Sequence, residues 1–138
     1  FGKVISKSIR DKTLFTEIIS RLLKHEEQQL VVDEKMTPVY LEDLVYFIRI
    51  ALEKRLSGIL HLASMRPINR YDFAIQGAKY FNIKNPKIEP CKKNSIVLIE
   101  KRPKNSDLNI EKLKNIINFK LRPNEYFFEL LKKEMTIP

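Results

Sequence analysis

A basic loop in the last third of the sequence has the residue types that bind phosphate groups. Residues 101–106 read Lys-Arg-Pro-Lys-Asn-Ser, which gathers three cations, an amide and a hydroxyl between a predicted strand and a predicted helix. The guanidinium of Arg102 can bind two phosphate oxygens at once as a rigid fork, whereas a lysine acts as a point charge. The segment fits a diphosphate, and composition alone leaves a solvated basic turn as the alternative.

A tyrosine and a lysine have the spacing of a proton-donating pair. Tyr80 and Lys84 match Tyr-x-x-x-Lys, in which a lysine one helical turn away lowers the pKa of the tyrosine. Both groups must share one helix, but Asn82, Asn85 and Pro86 predict that the helix ends there. We interpret the spacing as a coincidence of a lysine-rich composition.

The remaining residues with chemical potential are isolated. His61 lies in the apolar run Ile-Leu-His-Leu-Ala, which predicts a packed histidine rather than a catalytic one. Cys91 has no His or Asp close to it in sequence, which indicates an inert thiol. Glu42 and Asp43 begin an apolar helix, and we interpret them as partners of its dipole.

The composition excludes several classes of protein. The chain has 138 residues, the size of one ordinary domain, and 43% of them are hydrophobic, which is enough for a packed core. One cysteine excludes an intramolecular disulfide framework, and two histidines disfavour a His-rich metal site. The three glycines, Gly2, Gly58 and Gly77, lie too far apart to form a glycine-rich phosphate loop.

The charge and the ends of the chain suggest its surroundings. With 26 basic and 17 acidic residues the net charge is +9, but the basic residues are spread out and do not alternate with aromatic ones. Nucleic-acid binding is therefore disfavoured, and a small basic nucleic-acid-binding domain is the weakest alternative. No apolar run could span a membrane and no signal peptide is seen, so the cytoplasm is the expected compartment. The start at Phe1 resembles the interior of a longer protein, and a processed or trimmed chain would look the same.

The hydrophobic pattern predicts helices that alternate with short strands, a pattern typical of α/β or α+β proteins. Helices are predicted over residues 13–24, 42–56, 69–81, 109–117 and 123–133, and strands over 30–32, 59–63, 88–90 and 96–99, with a loop over 33–38. In the second helix, five apolar residues are expected to form the inner face. They are Leu41, Leu44, Val45, Ile48 and Leu52.

Three segments together resemble the C-terminal part of the dTDP-4-dehydrorhamnose reductases, a branch of the extended short-chain dehydrogenase/reductase superfamily. Residues 31–44 are similar to the family pattern Val-x-Asp-Gln-x-Gly-x-Pro-Thr…Asp-Leu-Ala, with Glu34 in place of Gln. Residues 58–74 resemble Gly-x-Tyr-His-x-x-Gly…Ser-x-Tyr-Glu-Phe-Ala. Residues 102–113 resemble Arg-Pro-x-Asn-Ser-x-Leu-Asp-x-x-Lys-Leu.

The resemblance implies an α/β fold, the C-terminal part of the Rossmann-type architecture, without the N-terminal coenzyme-binding half. That upstream half carries the glycine-rich turn and the catalytic Tyr and Lys of the family. The family reduces the 4-keto group of a dTDP-6-deoxyhexulose with NADPH on the way to dTDP-L-rhamnose. We therefore expect residues 1–138 to form a substrate-binding portion that binds no dinucleotide and has no reductase activity alone.

The resemblance also implies a binding site and partners. Arg102 is expected to meet the phosphates of a dTDP-sugar, with Asn105 and Ser106 supporting its loop. Asp33, Thr37 and Pro38 are expected to shape the other wall. The expected partner is the missing coenzyme-binding half, and a homodimer is left open. The alternatives are a non-catalytic regulatory subunit resembling the methionine adenosyltransferase β subunit, and another nucleotide-sugar epimerase or reductase.

Overall fold

The computed structural model describes residues 2–5, 10–63, 66–95, 105–117 and 122–136. Its helices are α1 (Leu14–Leu23), α2 (Leu41–Glu53), α3 (Arg70–Tyr80), α4 (Glu111–Ile116) and α5 (Tyr126–Thr136). Its strands are β1 (Lys3–Ile5), β2 (Gln28–Val31), β3 (Lys35–Met36), β4 (Pro38–Tyr40), β5 (Ile88–Cys91) and β6 (Asn105–Ser106), with a 3-10 turn at Lys93–Ser95.

The strands form three parallel pairs: β1 with β4, β2 with β5 and β3 with β6. Each pair joins segments that are far apart in sequence, as parallel strands must, because they need a long crossover connection. Helices and short parallel strands are interspersed along the chain, so the fold is α/β as predicted.

A phenylalanine-rich core lies between α1, α3 and α5. Phe15 and Phe73 meet edge to face with their ring centroids 4.7 Å apart, and Phe128 lies 5.1 Å from Phe73. The helices α1 and α3 approach closely at Gly77, where a Cβ atom would come within 2.5 Å of Ile19 Cδ1. We call this region the phenylalanine core.

A second, smaller core lies beneath α2. Its buried residues are Val39, Leu62, Ala63, Ile110, Leu113 and Ile117, and Leu44, Phe47 and Ile50 of α2 pack against it. The prediction for the inner face of this helix was wrong for four of its five residues, since Leu41, Val45, Ile48 and Leu52 are exposed. The helix is apolar on two sides, and periodicity alone does not say which side is covered.

Most elements confirm their predictions, and two do not. Thr13 and Asn69 cap α1 and α3 with their side chains, and the five predicted helices are present with ends shifted by a few residues. Residues 33–38 contain β3 and the start of β4 instead of a continuous loop, and residues 59–63, all of them described, form no strand. The strand predicted over 96–99 lies outside the described residues.

A buried polar seam joins α2 to the start of α5. The hydroxyl of Tyr40 accepts a hydrogen bond from the Phe127 N–H at 3.0 Å and lies within 2.9 Å of the Asn124 carbonyl oxygen. Burial raises the pKa of this phenol, and the Phe127 N–H opposes the rise. Asp43, also buried, lies 3.1 Å from Arg122. Burial raises the pKa of Asp43, and the charge of Arg122 opposes that rise.

Candidate substrate-binding site

The pairing of β3 with β6 brings two of the predicted site segments side by side. Lys35 lies opposite Asn105 and Met36 opposite Ser106 in this parallel pair. The Ser106 hydroxyl also donates a hydrogen bond to the Lys35 carbonyl oxygen at 3.1 Å. Residues separated by about 70 positions in sequence thus form one continuous strip.

Thr37 and Pro38 are buried at the inner end of this strip. The Thr37 hydroxyl oxygen accepts a hydrogen bond from the Leu108 N–H at 3.1 Å, which fixes the chain just after β6. Pro38 begins β4 and pairs in register with Lys3. Thr37 and Pro38 therefore support the strip from inside, and Thr37 also lines the hollow described below.

Asp33, Asn105 and Ser106 are exposed. One oxygen of Asp33, Oδ1, accepts a hydrogen bond from the Lys93 backbone N–H at 2.8 Å. The side-chain oxygen of Asn105 accepts a bond from the Asp107 N–H at 3.2 Å, which shapes a tight turn after β6. Arg102 lies outside the described residues.

An open hollow of about 390 Å³ lies beside the inner end of the strip. It is lined by Thr37, Pro67, Lys114 and residues 107–111. Two exposed carboxylates, Asp107 and Glu111, border it, and Glu111 pairs with Lys114 at 2.6 Å. Carboxylates accept hydrogen bonds from hydroxyl groups and repel phosphates, so the hollow suits the neutral part of a ligand better than an anion.

A buried ion cluster, not predicted from the sequence, lies next to Asp33. The carboxylate of Glu34 lies 2.6 Å from Arg70 and 3.8 Å from Lys93, and all three side chains are at most 14% exposed. The signal that could have indicated it was the Glu at position 34, a carboxylate at the place where the family pattern has Gln. Its partners lie too far away in sequence to be recognised.

The other residues singled out in the sequence lie apart from this strip. The helix α3 ends at Tyr80, and Asn82 has a positive φ of 54°, so Tyr80 and Lys84 do not share a helix, as predicted. His61 is exposed, so the prediction of a packed histidine was wrong. It lies within residues 59–63, which form no strand. Cys91 is half-buried in β5.

Neither a metal site nor a membrane-spanning helix is found in the described part of the chain. No group of three or more His, Cys, Asp or Glu side chains there could hold a metal ion. None of the helices described is long and apolar enough to cross a bilayer. The three glycines lie in different parts of the fold: Gly77 is packed inside α3, Gly58 follows α2, and Gly2 abuts the backbone of Thr37.

Solved structures with the same fold are enzymes that act on nucleotide sugars. The dTDP-4-dehydrorhamnose reductase of Bacillus anthracis, in complex with NADP, matches 95% of this chain and 46% of its own, with a TM-score of 0.81 and 21% identity. The orthologue from Clostridium acetobutylicum matches 96% and 48%, with a TM-score of 0.80 and 21% identity. The UDP-N-acetylglucosamine 4-epimerase of Bacillus cereus matches 100% and 45%, with a TM-score of 0.76 and 14% identity.

The chain therefore has the fold of the C-terminal part of extended short-chain dehydrogenase/reductases, and it spans less than half the length of each of these structures. A search among curated proteins found no match. Residues 4–136 match the family described as the RmlD substrate binding domain. Because this match covers nearly the whole chain, the protein belongs to that family.

Proposed function

We propose that this chain is the substrate-binding part of a dTDP-4-dehydrorhamnose reductase-like oxidoreductase, in which it holds a dTDP-sugar for NADPH-dependent reduction of the 4-keto group. The observation that carries the proposal is the β3–β6 pair, which joins the Asp33–Pro38 segment to Asn105 and Ser106. Both segments belong to the family pattern, and their contact gives a single surface for one ligand.

The chemistry of the strip divides the ligand into two parts. Arg102 precedes Asn105 by three residues, so the covalent chain keeps their Cα atoms within about 11 Å. Its guanidinium is proposed to bind the diphosphate, with Asn105 and Ser106 supporting the loop. The hollow beside Thr37, with the carboxylates of Asp107 and Glu111 at its border, suits hydroxyl groups of the sugar or ribose. Asp33 borders the other end of the strip.

A coenzyme-binding α/β unit is the proposed partner of this chain. The strands β1 and β4 form a parallel pair, and parallel sheets are rarely stable as two strands alone. The exposed face of α2 carries Leu41, Val45, Ile48 and Leu52 at helical spacing. A coenzyme-binding unit could add strands to the β1–β4 pair and also cover the exposed face of α2. The solved relatives are long enough to contain such a unit, because they have more than twice the matched length.

Titration with dTDP and dTDP-glucose tests the proposal. We expect binding to the purified chain by calorimetry, and Arg102→Ala is expected to weaken it about tenfold or more, the range for losing a charge-assisted hydrogen bond. Arg49→Ala is the matched control, because Arg49 is exposed on α2 and pairs with Glu53. Equal affinity of both variants would contradict the assignment of Arg102.

Two further arms separate the alternatives. UDP and UDP-N-acetylglucosamine should bind more weakly than their dTDP counterparts, and the reverse would favour an epimerase-like substrate. NADPH should neither bind nor be consumed by the purified chain, because its glycines form no phosphate-binding turn. If the chain binds none of these nucleotides but binds a synthetase-type partner, the regulatory-subunit alternative is favoured. The exposed apolar face of α2 is also compatible with that alternative.

A further inference from the structure

The ion cluster around Glu34 connects three elements at the outer end of the strip. Glu34 lies in the turn between β2 and β3, Arg70 is the first residue of α3, and Lys93 begins the 3-10 turn. The side chains of Glu34 and Lys93 are 8% and 9% exposed, and that of Arg70 is 14% exposed. One carboxylate therefore holds two cations that come from distant parts of the chain.

Stability alone does not explain a cluster of this kind. Three charges removed from water carry a desolvation penalty that their mutual attraction offsets only with good geometry, and apolar residues of similar size are often equally stabilising. A buried ionic group can instead select one packing arrangement of the surrounding elements over other arrangements. The arrangement here is the placement of the β2–β3 turn against α3 and the 3-10 turn.

The residue before Glu34 makes this placement relevant to the site. Asp33 Oδ1 accepts the backbone N–H of Lys93 at 2.8 Å, so Lys93 is held by two consecutive residues, through its main chain and through its side chain. The residues after Glu34 are Lys35 and Met36, which pair with Asn105 and Ser106. Glu34 thus lies between the contact of Asp33 and the strip that carries the candidate site.

We propose that Glu34 is a positioning residue of the substrate-binding site. Its carboxylate holds Arg70 and Lys93 so that Asp33 and the β3–β6 strip keep one fixed position. A neutral amide at position 34 has the same size but removes the countercharge that Glu34 supplies to Arg70 and Lys93, so both ion pairs that hold the turn are lost. The role at the site rests on the proposed function, whereas the ordering of the strip does not.

The test replaces all three side chains together, so that no member of the cluster stays charged. In the variant Glu34→Met, Arg70→Met, Lys93→Met, the thermal unfolding midpoint should stay equal or rise. Hydrogen exchange at the amides of residue 93 and Leu108 should nevertheless become about tenfold faster, while the amides of α1 stay unchanged. The dissociation constant for dTDP should rise about tenfold. The control variant Arg49→Met, Glu53→Met removes an exposed pair and should change none of these values.

Each outcome decides the proposal. Unchanged exchange at residue 93 and Leu108 in the triple variant would overturn it, whatever happens to nucleotide affinity. Faster local exchange with unchanged dTDP affinity would also overturn the positioning role, since the cluster would then order a region that the ligand does not use. If the wild-type chain does not bind dTDP, the proposed function fails, and the exchange measurement still decides whether Glu34 orders the strip. If the triple variant does not fold, hydrogen exchange is measured in Glu34→Gln instead. Equal exchange at residue 93 and Leu108 in this variant and in the wild type would overturn the proposal.

Discussion

The phenylalanine core and the region around α2 differ in how far they are covered by this chain. In the phenylalanine core, Phe15, Phe73 and Phe127 are at most 1% exposed and their neighbours close around them. On α2, Val45 and Leu52 are 59% and 73% exposed although they are as apolar as core residues. Apolar side chains thus form a fully buried core in one region and an exposed apolar surface in the other.

This difference in exposure suggests that α2, and not the phenylalanine core, contacts another polypeptide. A helix that is apolar on two faces is normally buried on both, whereas α1 has one apolar face and one polar face. The inner face of α2, with Leu44 and Phe47, rests on the small core. Its outer face is exposed, and we propose that a partner covers it. We therefore expect substitutions in the phenylalanine core to affect folding, and substitutions on the outer face of α2 to affect association.

The largest effect is expected from Phe73→Ala in the phenylalanine core. Removing a fully buried ring that contacts Phe15 and Phe128 should lower the free energy of unfolding by about 3–5 kcal/mol, because the cavity cannot fully collapse. Denaturant titration measures the loss. Val45→Ala on α2 is the control and should change stability by less than about 0.5 kcal/mol. Similar losses in both variants would show that the two regions do not differ.

A smaller loss is expected from Gly77→Ala at the contact between α1 and α3. The added methyl group would meet Ile19 Cδ1 at 2.5 Å and Phe128 Cε1 at 3.2 Å. Overpacking of this kind costs about 1–3 kcal/mol, which outweighs the gain of up to about 1 kcal/mol from replacing glycine in a helix. Gln76→Ala on the exposed side of the same helix should be neutral. A stabilised Gly77→Ala protein would mean that α1 and α3 pack less tightly than described.

The comparison also shows where sequence reasoning succeeds and fails. Periodicity located α1 and α2 because both have apolar residues at helical spacing. It failed on the faces of α2, since Leu44 and Val45 belong to two neighbouring apolar stripes and burial depends on what lies outside the helix. The parallel pairs could not be found from local patterns, because residues such as Met36 and Ser106 meet only in the folded chain. The contact of Glu34 with Arg70 was missed for the same reason, although the segments of the site were recognised by resemblance.

The seam between the two regions should respond to pH through Asp43. Burial raises the pKa of this carboxyl, so the folded state holds its proton more tightly than the unfolded state. The stability from this group is therefore fully present below about pH 3.8 and is lost as the pH rises through the raised pKa. Asp43→Asn does not titrate, so the stability of the wild type relative to this variant should fall from about pH 4 upward. Urea titrations of both proteins across this range measure the trend, and a difference that does not change with pH would contradict it.

The smallest effect on stability is expected from Val45→Glu together with Leu52→Glu on the outer face of α2. Both side chains are mostly exposed, so the free energy of unfolding should change by less than about 0.5 kcal/mol. Association should change far more, because a carboxylate placed in an apolar interface loses its hydration without gaining a partner.

The measurement uses the part of the Clostridium acetobutylicum reductase that lies outside the region matched by this chain, prepared as a separate polypeptide. Analytical ultracentrifugation should detect a complex of this polypeptide with the wild-type chain. The double variant should bind it at least tenfold more weakly. The control variant Arg49→Glu, beside the apolar stripe, should bind like the wild type. Equal binding by all three would place the partner surface elsewhere. A wild-type dimer that the double variant abolishes would instead assign the outer face of α2 to a second copy of this chain, and the difference between the two regions would then mark a subunit interface.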